Sequence, residues 1–256
     1  MNGSTPPPVP GQLTPGFVPV TSRPQPLGED PQDTLPIHGA LGAAESMLRH
    51  PRRIVYHLRQ PGAGRLLLSL LLIAILCSAV YGFVVGTFSK GDQLWAAPVK
   101  ISAGLLVSAL ICLPSLYIFA CLSGAQVRVV EAAGLVIGLI ALLSVLLVGF
   151  APVAWVFSES TQSLPAMGSL HLGFGIIATW FGLRFLNAGL THAQASPTGL
   201  RVWSFIFLIV LLQMTTALRP ILGTANTFLP AEKKFFITHW SDSLTQEGSS
   251  RPTRSP

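Results

Sequence analysis

Arg184 is the residue of this 256-residue chain whose setting most suggests chemistry. It lies in WFGLRFLNAGL, one turn after Trp180 and one turn before Asn187. A guanidinium set among apolar residues can coordinate an anion with its planar fork or take part in a proton-linked step. It can equally snorkel, laying its stem on apolar surface and its head in water. Asn187, Gln213 in VLLQMTT and Pro114 in ICLPSLYIFACLSG complete a candidate intramembrane polar site with Arg184. Gln213 can hydrogen-bond to a neighbouring helix. Pro114 frees a carbonyl one turn earlier, which Ser115 or a neighbouring helix can satisfy. Such a break either kinks a helix or lines a transport site.

Other ionisable groups point to structure. Glu131 follows Arg128 by three residues at the start of an apolar run, where it suits a helix N-terminus or a rim salt bridge. His171 stands alone, and one histidine without a second ligand is not a metal site. Cys77, Cys112 and Cys121 all fall in apolar runs and read as packing residues, not as a disulfide framework or a zinc site. There is no Gly-x-Ser-x-Gly, no His-Glu-x-x-His, no phosphate loop, no dinucleotide fingerprint and no aspartate in any apolar run. The chain is expected to be no enzyme, with no metal and no cofactor.

Long apolar elements must carry these residues. Leu66 to Val85 runs twenty residues without a charge, and comparable stretches follow at 101–122, 129–150, 170–190 and 202–218. About 20 apolar residues make a helix that crosses a bilayer, and backbone polar groups in lipid must pair within it. The fold class expected is all-α: a polytopic membrane bundle of five transmembrane helices over 65–222. Half of the residues are hydrophobic, only 10% are charged and the mean hydropathy is +0.58. A soluble domain carries about 25% charge. The spacings Gly134–Gly138 and Gly175–Gly182 suit close helix packing.

The remainder divides into tails and a basic segment. Residues 1–40 hold ten of the twenty-one prolines and are expected to form a disordered tail, with PPPVP able to adopt polyproline II. Residues 41–64 place Leu41, Ala44, Leu48, Val55 and Leu58 at helical spacing, opposite Arg49, Arg52, Arg53 and Arg59. Pro51 suits a helix start, so two pieces are expected, near 41–49 and 51–59. They can lie on the membrane with these four arginines on anionic lipid headgroups, or pack on the protein's own loops. Tyr56 is the sole aromatic nearby, so nucleic acid is not expected as a partner. The start of the chain has neither the charged nor the apolar region of a cleavable signal peptide, so the first span is expected to act as the signal-anchor. Residues 223–256 are expected to be a polar tail.

Arginine placement orients the spans. The cluster of Arg49, Arg52, Arg53, Arg59 and Arg65 before the first span favours a cytoplasmic N-terminus, with Arg128, Arg201 and the snorkelling Arg184 on the same side. Lys90, Lys100, Arg219, Lys233 and Lys234 fall on the other, and five spans place the C-terminus outside.

The segment MLRHPRRIVYHL before a first span, four further spans with few charges and the turn CLSGAQ after the second span resemble bacterial members of the Yip group of five-span membrane proteins. The acidic-aromatic Asp-Leu-Tyr-Gly-Pro motif and Gly-Tyr pair of eukaryotic members are absent. The resemblance covers about 45–218. The expected role is that of a scaffold or membrane-organising component in a cell membrane, the bacterial inner membrane. Anionic lipid, proteins recruited by the tails and a second copy of the chain are its expected partners. The alternative is a small-solute or anion transporter or channel subunit using Arg184 and the Pro114 kink.

Overall fold

A computed structural model describes residues 26–89, 93–160 and 164–217. The first 25 residues and those after 217 lie outside them, and with them PPPVP, Lys90, Arg219, Lys233, Lys234 and the C-terminal tail.

Among the described residues, three short helices precede five long ones: α1 (Pro31–Thr34), α2 (Gly39–Arg49), α3 (Pro51–Arg59), α4 (Gly64–Ser89), α5 (Gln93–Leu122), α6 (Val129–Ser160), α7 (Leu164–Thr191) and α8 (Pro197–Ala217). No strand occurs among the described residues. The long helices contain five segments apolar and long enough to cross a membrane: Gly64–Thr87, Leu94–Leu122, Val129–Ser160, Ala166–Thr191 and Pro197–Thr215. The chain is an all-α polytopic bundle.

Short connections force successive long helices to reverse direction. Two of the turns sit at one end and share a cap. After α5, Gly124 adopts φ +78°, its N–H bonds to the Cys121 carbonyl at 3.0 Å, and Ala125 N–H reaches the Ala120 carbonyl at 3.1 Å. After α7, Gln194 (φ +66°) and Ala195 bond in the same way to the Thr191 and Leu190 carbonyls. Each arrangement pairs carbonyls that the helix end would leave orphaned.

α6 is the axis of the bundle. α4 and α7 both pack along it, while α5 packs mainly on α4 and α8 on α5. α7 and α8 barely meet. Close approach depends on glycine at the seams. A side chain at Gly182 would press on the Leu139 backbone of α6, and one at Gly82 on Pro98 of α5. Gly138 receives the Phe185 ring and Gly189 receives Leu135, so α6 and α7 run antiparallel with residue sums near constant along the seam.

The structure revises several boundaries. α6 continues through Pro152 to Ser160, past the expected end near 150, and Trp155 and Phe157 are exposed on its final turns. Pro152 faces outward, where losing one hydrogen bond bends a helix without ending it. Lys100 belongs to α5 and is buried, not part of an exposed connection, because the helix restarts at Gln93. Residues 26–40 are not structureless: Asp30 caps α1 by accepting from Gln32 N–H at 2.8 Å, and Asp33 is buried. Gly175 takes no part in close packing, since a side chain there would meet nothing within 4 Å.

Candidate functional site

The arginine-rich segment folds into a cap on one end of the bundle. α2 and α3 form the two expected pieces, with Pro51 in the first turn of α3. Ile54, Val55 and Leu58 bury their side chains, and Leu58 fits against Gly134 of α6. The polar faces then meet groups of the same chain. Arg52 pairs with Asp33 at 3.1 Å and donates to the Pro26 carbonyl at 3.2 Å. Arg53 donates to the Gln32 carbonyl at 2.8 Å and reaches Ser46 Oγ at 3.4 Å. Arg59 lies 4.0 Å from Glu131. Arg49 alone of the four is largely exposed, with Glu45 at 3.7 Å one turn back. Three of the four arginines expected at lipid headgroups therefore hold the cap together, as a segment packed on its own chain would.

Glu131 is the anchor. It is buried at the start of α6 between Arg59 of the cap and Arg128, whose Nε stands 3.0 Å from its Oε1. Arg128 also donates to the Arg59 carbonyl at 2.7 Å, tying the end of α3 to the bundle. The rim salt bridge expected at Glu131 is present and also reaches the cap. His192, just beyond α7, comes close enough to this cluster to feel it. Burial lowers its pKa below the usual 6.5, the Arg52 and Arg59 charges add to that, and Asp33 opposes it.

The members of the expected intramembrane site do not converge. Arg184 is exposed on the outer face of α7, seven residues before the helix end. Pro114 is exposed on α5, and Gln213 is half-buried on α8. Asn187 is half-buried on α7, and its Oδ1 has no hydrogen-bond partner among the described residues. The Pro114 region is secured by a residue the sequence did not single out. Trp203 of α8 is fully buried and donates to the Cys112 carbonyl at 3.2 Å and to Ser115 Oγ at 3.1 Å. Ser115 itself donates to the Cys112 carbonyl at 2.8 Å, two residues from the carbonyl that the proline frees.

Elsewhere the structure assembles polar groups that spacing alone could not pair. Tyr81 of α4, almost fully buried, is hydrogen-bonded through its hydroxyl to His171 Nδ1 of α7 at 2.6 Å. Ser78 of α4 donates to Ser102 of α5 at 2.8 Å. A tyrosine inside an apolar run was the available signal for the first pair, but its partner lies 90 residues away. No three metal-ligating side chains come together among the described residues.

The chain matches no protein-family model, no curated protein and no solved structure.

Proposed function

We propose that this chain is a non-enzymatic, multi-pass component of a cell membrane, the bacterial inner membrane, that organises the membrane surface or recruits partners there. Its N-terminal side, the capped end, is cytoplasmic in this reading, and the Yip group is its proposed family. The observation that carries the reading is the cap. α1 to α3 form a folded, arginine-bearing layer fastened to one end of the bundle by Glu131, the end that faces headgroups in this reading. Because Arg52, Arg53 and Arg59 have partners within the chain, the lipid contacts fall to Arg49, Arg65 and Arg201, all exposed at that end. The tails recruit proteins, and the lipid-facing sides of α7 and α8, each with large exposed apolar residues, accommodate a second copy.

The test is lipid retention. Full-length protein is purified in mild detergent with equal phosphatidylglycerol and phosphatidylcholine, and bound lipids are counted by native mass spectrometry. Wild type should retain phosphatidylglycerol preferentially. Arg49→Gln, Arg65→Gln and Arg201→Gln together should reduce that preference by at least half while leaving the bundle intact. An unchanged preference in the triple variant would remove the proposed headgroup role.

A further inference from the structure

The segment ahead of α2 lies along the polar flank of α3. At 100° per residue, Ile54, Val55 and Leu58 form the buried face of that helix, and Arg52, Arg53, Tyr56 and His57 fall opposite them. All four of these residues meet residues 26–35. Arg52 donates to Asp33 Oδ2 from Nε at 3.4 Å and from Nη2 at 3.1 Å, and Nη2 also reaches the Pro26 carbonyl at 3.2 Å. Arg53 donates to the Gln32 carbonyl at 2.8 Å and to Gln32 Oε1 at 3.2 Å. His57 Nε2 donates to the Leu35 carbonyl at 2.9 Å. Gly28 turns at φ +93° against the Tyr56 ring, where an added Cβ would come within 2.8 Å of the ring edge.

In these bonds every donor is on α3 and every acceptor is on the segment. Two guanidiniums and an imidazole on one flank make an anion site, and Asp33 supplies the anion. Its carboxylate is buried, accepts from Arg52, and takes a further bond from the Gly28 N–H at 3.3 Å. A carboxylate and a phosphodiester each spread one negative charge over two oxygens, so an arginine fork serves both. A source of phosphodiester is near. α3 ends at Arg59, five residues before α4, which carries the first segment apolar and long enough to cross a membrane.

The segment is held less firmly than the rest of the cap. α1 has four residues, too few for a helix to stand alone, and it packs chiefly on α3. The bonds to Pro26, Gln32 and Leu35 are exposed, where water and salt compete with them. Its apolar hold comes from Leu27 and Ile37, both only partly buried. Met47 of α2 and Ile54 and Leu58 of α3 are fully buried, so α2 and α3 stay docked when the segment leaves.

We infer that residues 26–37 form a clasp over an anion site made by Arg52, Arg53 and His57, that the Asp33 carboxylate stands there in place of a lipid phosphate, and that anionic headgroups open the clasp. The inference rests on the reading of the capped end as the one that meets anionic headgroups. With the clasp closed, only the exposed arginines at that end touch lipid; with it open, Arg52 and Arg53 join them. Linkage makes the effect reciprocal: a lipid that binds the open site must loosen the clasp, and loosening the clasp must strengthen lipid binding.

Hydrogen exchange over 27–37 reads the clasp. The full-length chain is placed in nanodiscs of phosphatidylcholine alone or mixed equally with phosphatidylglycerol. In wild type the mixed discs should speed this exchange about fivefold, while exchange over 54–58 stays the same in both lipids. Inorganic phosphate, added at matched ionic strength to the phosphatidylcholine discs, should leave the exchange slow. Gly28→Val opens the clasp without altering charge, because a β-branched residue does not tolerate that backbone and its side chain strikes Tyr56. This variant should exchange fast in either lipid, and native mass spectrometry in detergent should find about twice the phosphatidylglycerol retained by wild type. Adding Arg52→Gln and Arg53→Gln should abolish that gain. Together these results support the clasp. Equal wild-type exchange in the two lipids, matching acceleration over 54–58 or acceleration by inorganic phosphate would each overturn it. So would slow exchange in Gly28→Val, or a lipid gain that is absent there or survives loss of both arginines. Arg49, Arg65 and Arg201 are unchanged throughout, so failure of the clasp is distinct from failure of their headgroup role.

Discussion

At the scale of single residues, charge is concentrated where the cap meets the bundle. Glu131 faces two arginines, one from α3 and one just ahead of α6. Because both guanidiniums keep some contact with solvent, Glu131→Gln should weaken cap docking by about 1–2 kcal/mol, less than a fully buried pair would lose. The variant should be cleaved faster by protease in the QPGAG segment at 60–64, and an unchanged cleavage rate would show that Glu131 is not the anchor. His192 adds a pH dependence. Its pKa is lowered in the folded cap, so between its folded pKa and about 6.5 the unfolded segment binds more protons than the folded one. Cap stability is therefore complete above pH 6.5 and declines as the pH falls through that window. Hydrogen exchange over 51–59 should accelerate on acidification beyond its intrinsic pH trend, and His192→Gln should lessen that acceleration. An identical pH profile in the variant would locate the effect elsewhere. Arg184 is exposed, and both arginine and lysine can snorkel, so Arg184→Lys and Arg184→Leu should leave protein levels in the membrane at the wild-type value. A sharp loss for either substitution would contradict that placement.

At the scale of elements, the seams differ in what they tolerate. Gly182 admits the Leu139 backbone of α6, so Gly182→Leu should overpack the α6–α7 seam and cost about 1–3 kcal/mol. Gly175→Ala, facing open space, should change stability little. Thermal unfolding of the two variants in the same detergent separates these cases, and equal losses would mean that the seam is not packed as described. α8 depends on a different contact. It packs mainly on α5, where the Trp203 indole bonds to the Cys112 carbonyl and Ser115. Element type was legible in the sequence, because charge-free runs and the proline at residue 51 are local signals, but α5, α7 and α8 begin at Gln93, Leu164 and Pro197, before the expected 101, 170 and 202. The passage of α6 through Pro152 was not legible. Whether a proline ends a helix or bends it depends on what surrounds the turn.

At the scale of the whole molecule, the alternation of five helices puts the cap, both tight turns and the end of α7 on one side. In intact cells, a cytoplasmic N-terminus should shield Thr34→Cys and Ser196→Cys from an impermeant maleimide, in a background without the native cysteines, while Glu159→Cys is labelled. Labelling of Thr34→Cys with protection of Glu159→Cys would invert the orientation.

Composition and hydropathy by themselves determined that this chain is a five-helix membrane bundle with an arginine-rich segment ahead of it. Transfer of a helix into lipid depends on the residues of that helix alone, so sequence is sufficient for it. Which polar groups matter was decided only by the tertiary structure. Arg184 and Pro114 stand out in the sequence and turn outward, whereas Tyr81, His171, Ser144 and Thr179 turn inward. Only the tertiary structure shows that Arg52, Arg53 and Arg59 also have partners within the chain, in Asp33, Gln32 and Glu131. The direction a side chain faces is set by how helices distant in sequence are rotated and stacked. That rotation follows from close contacts such as Gly182 on Leu139 and Gly134 on Leu58, which no local window contains.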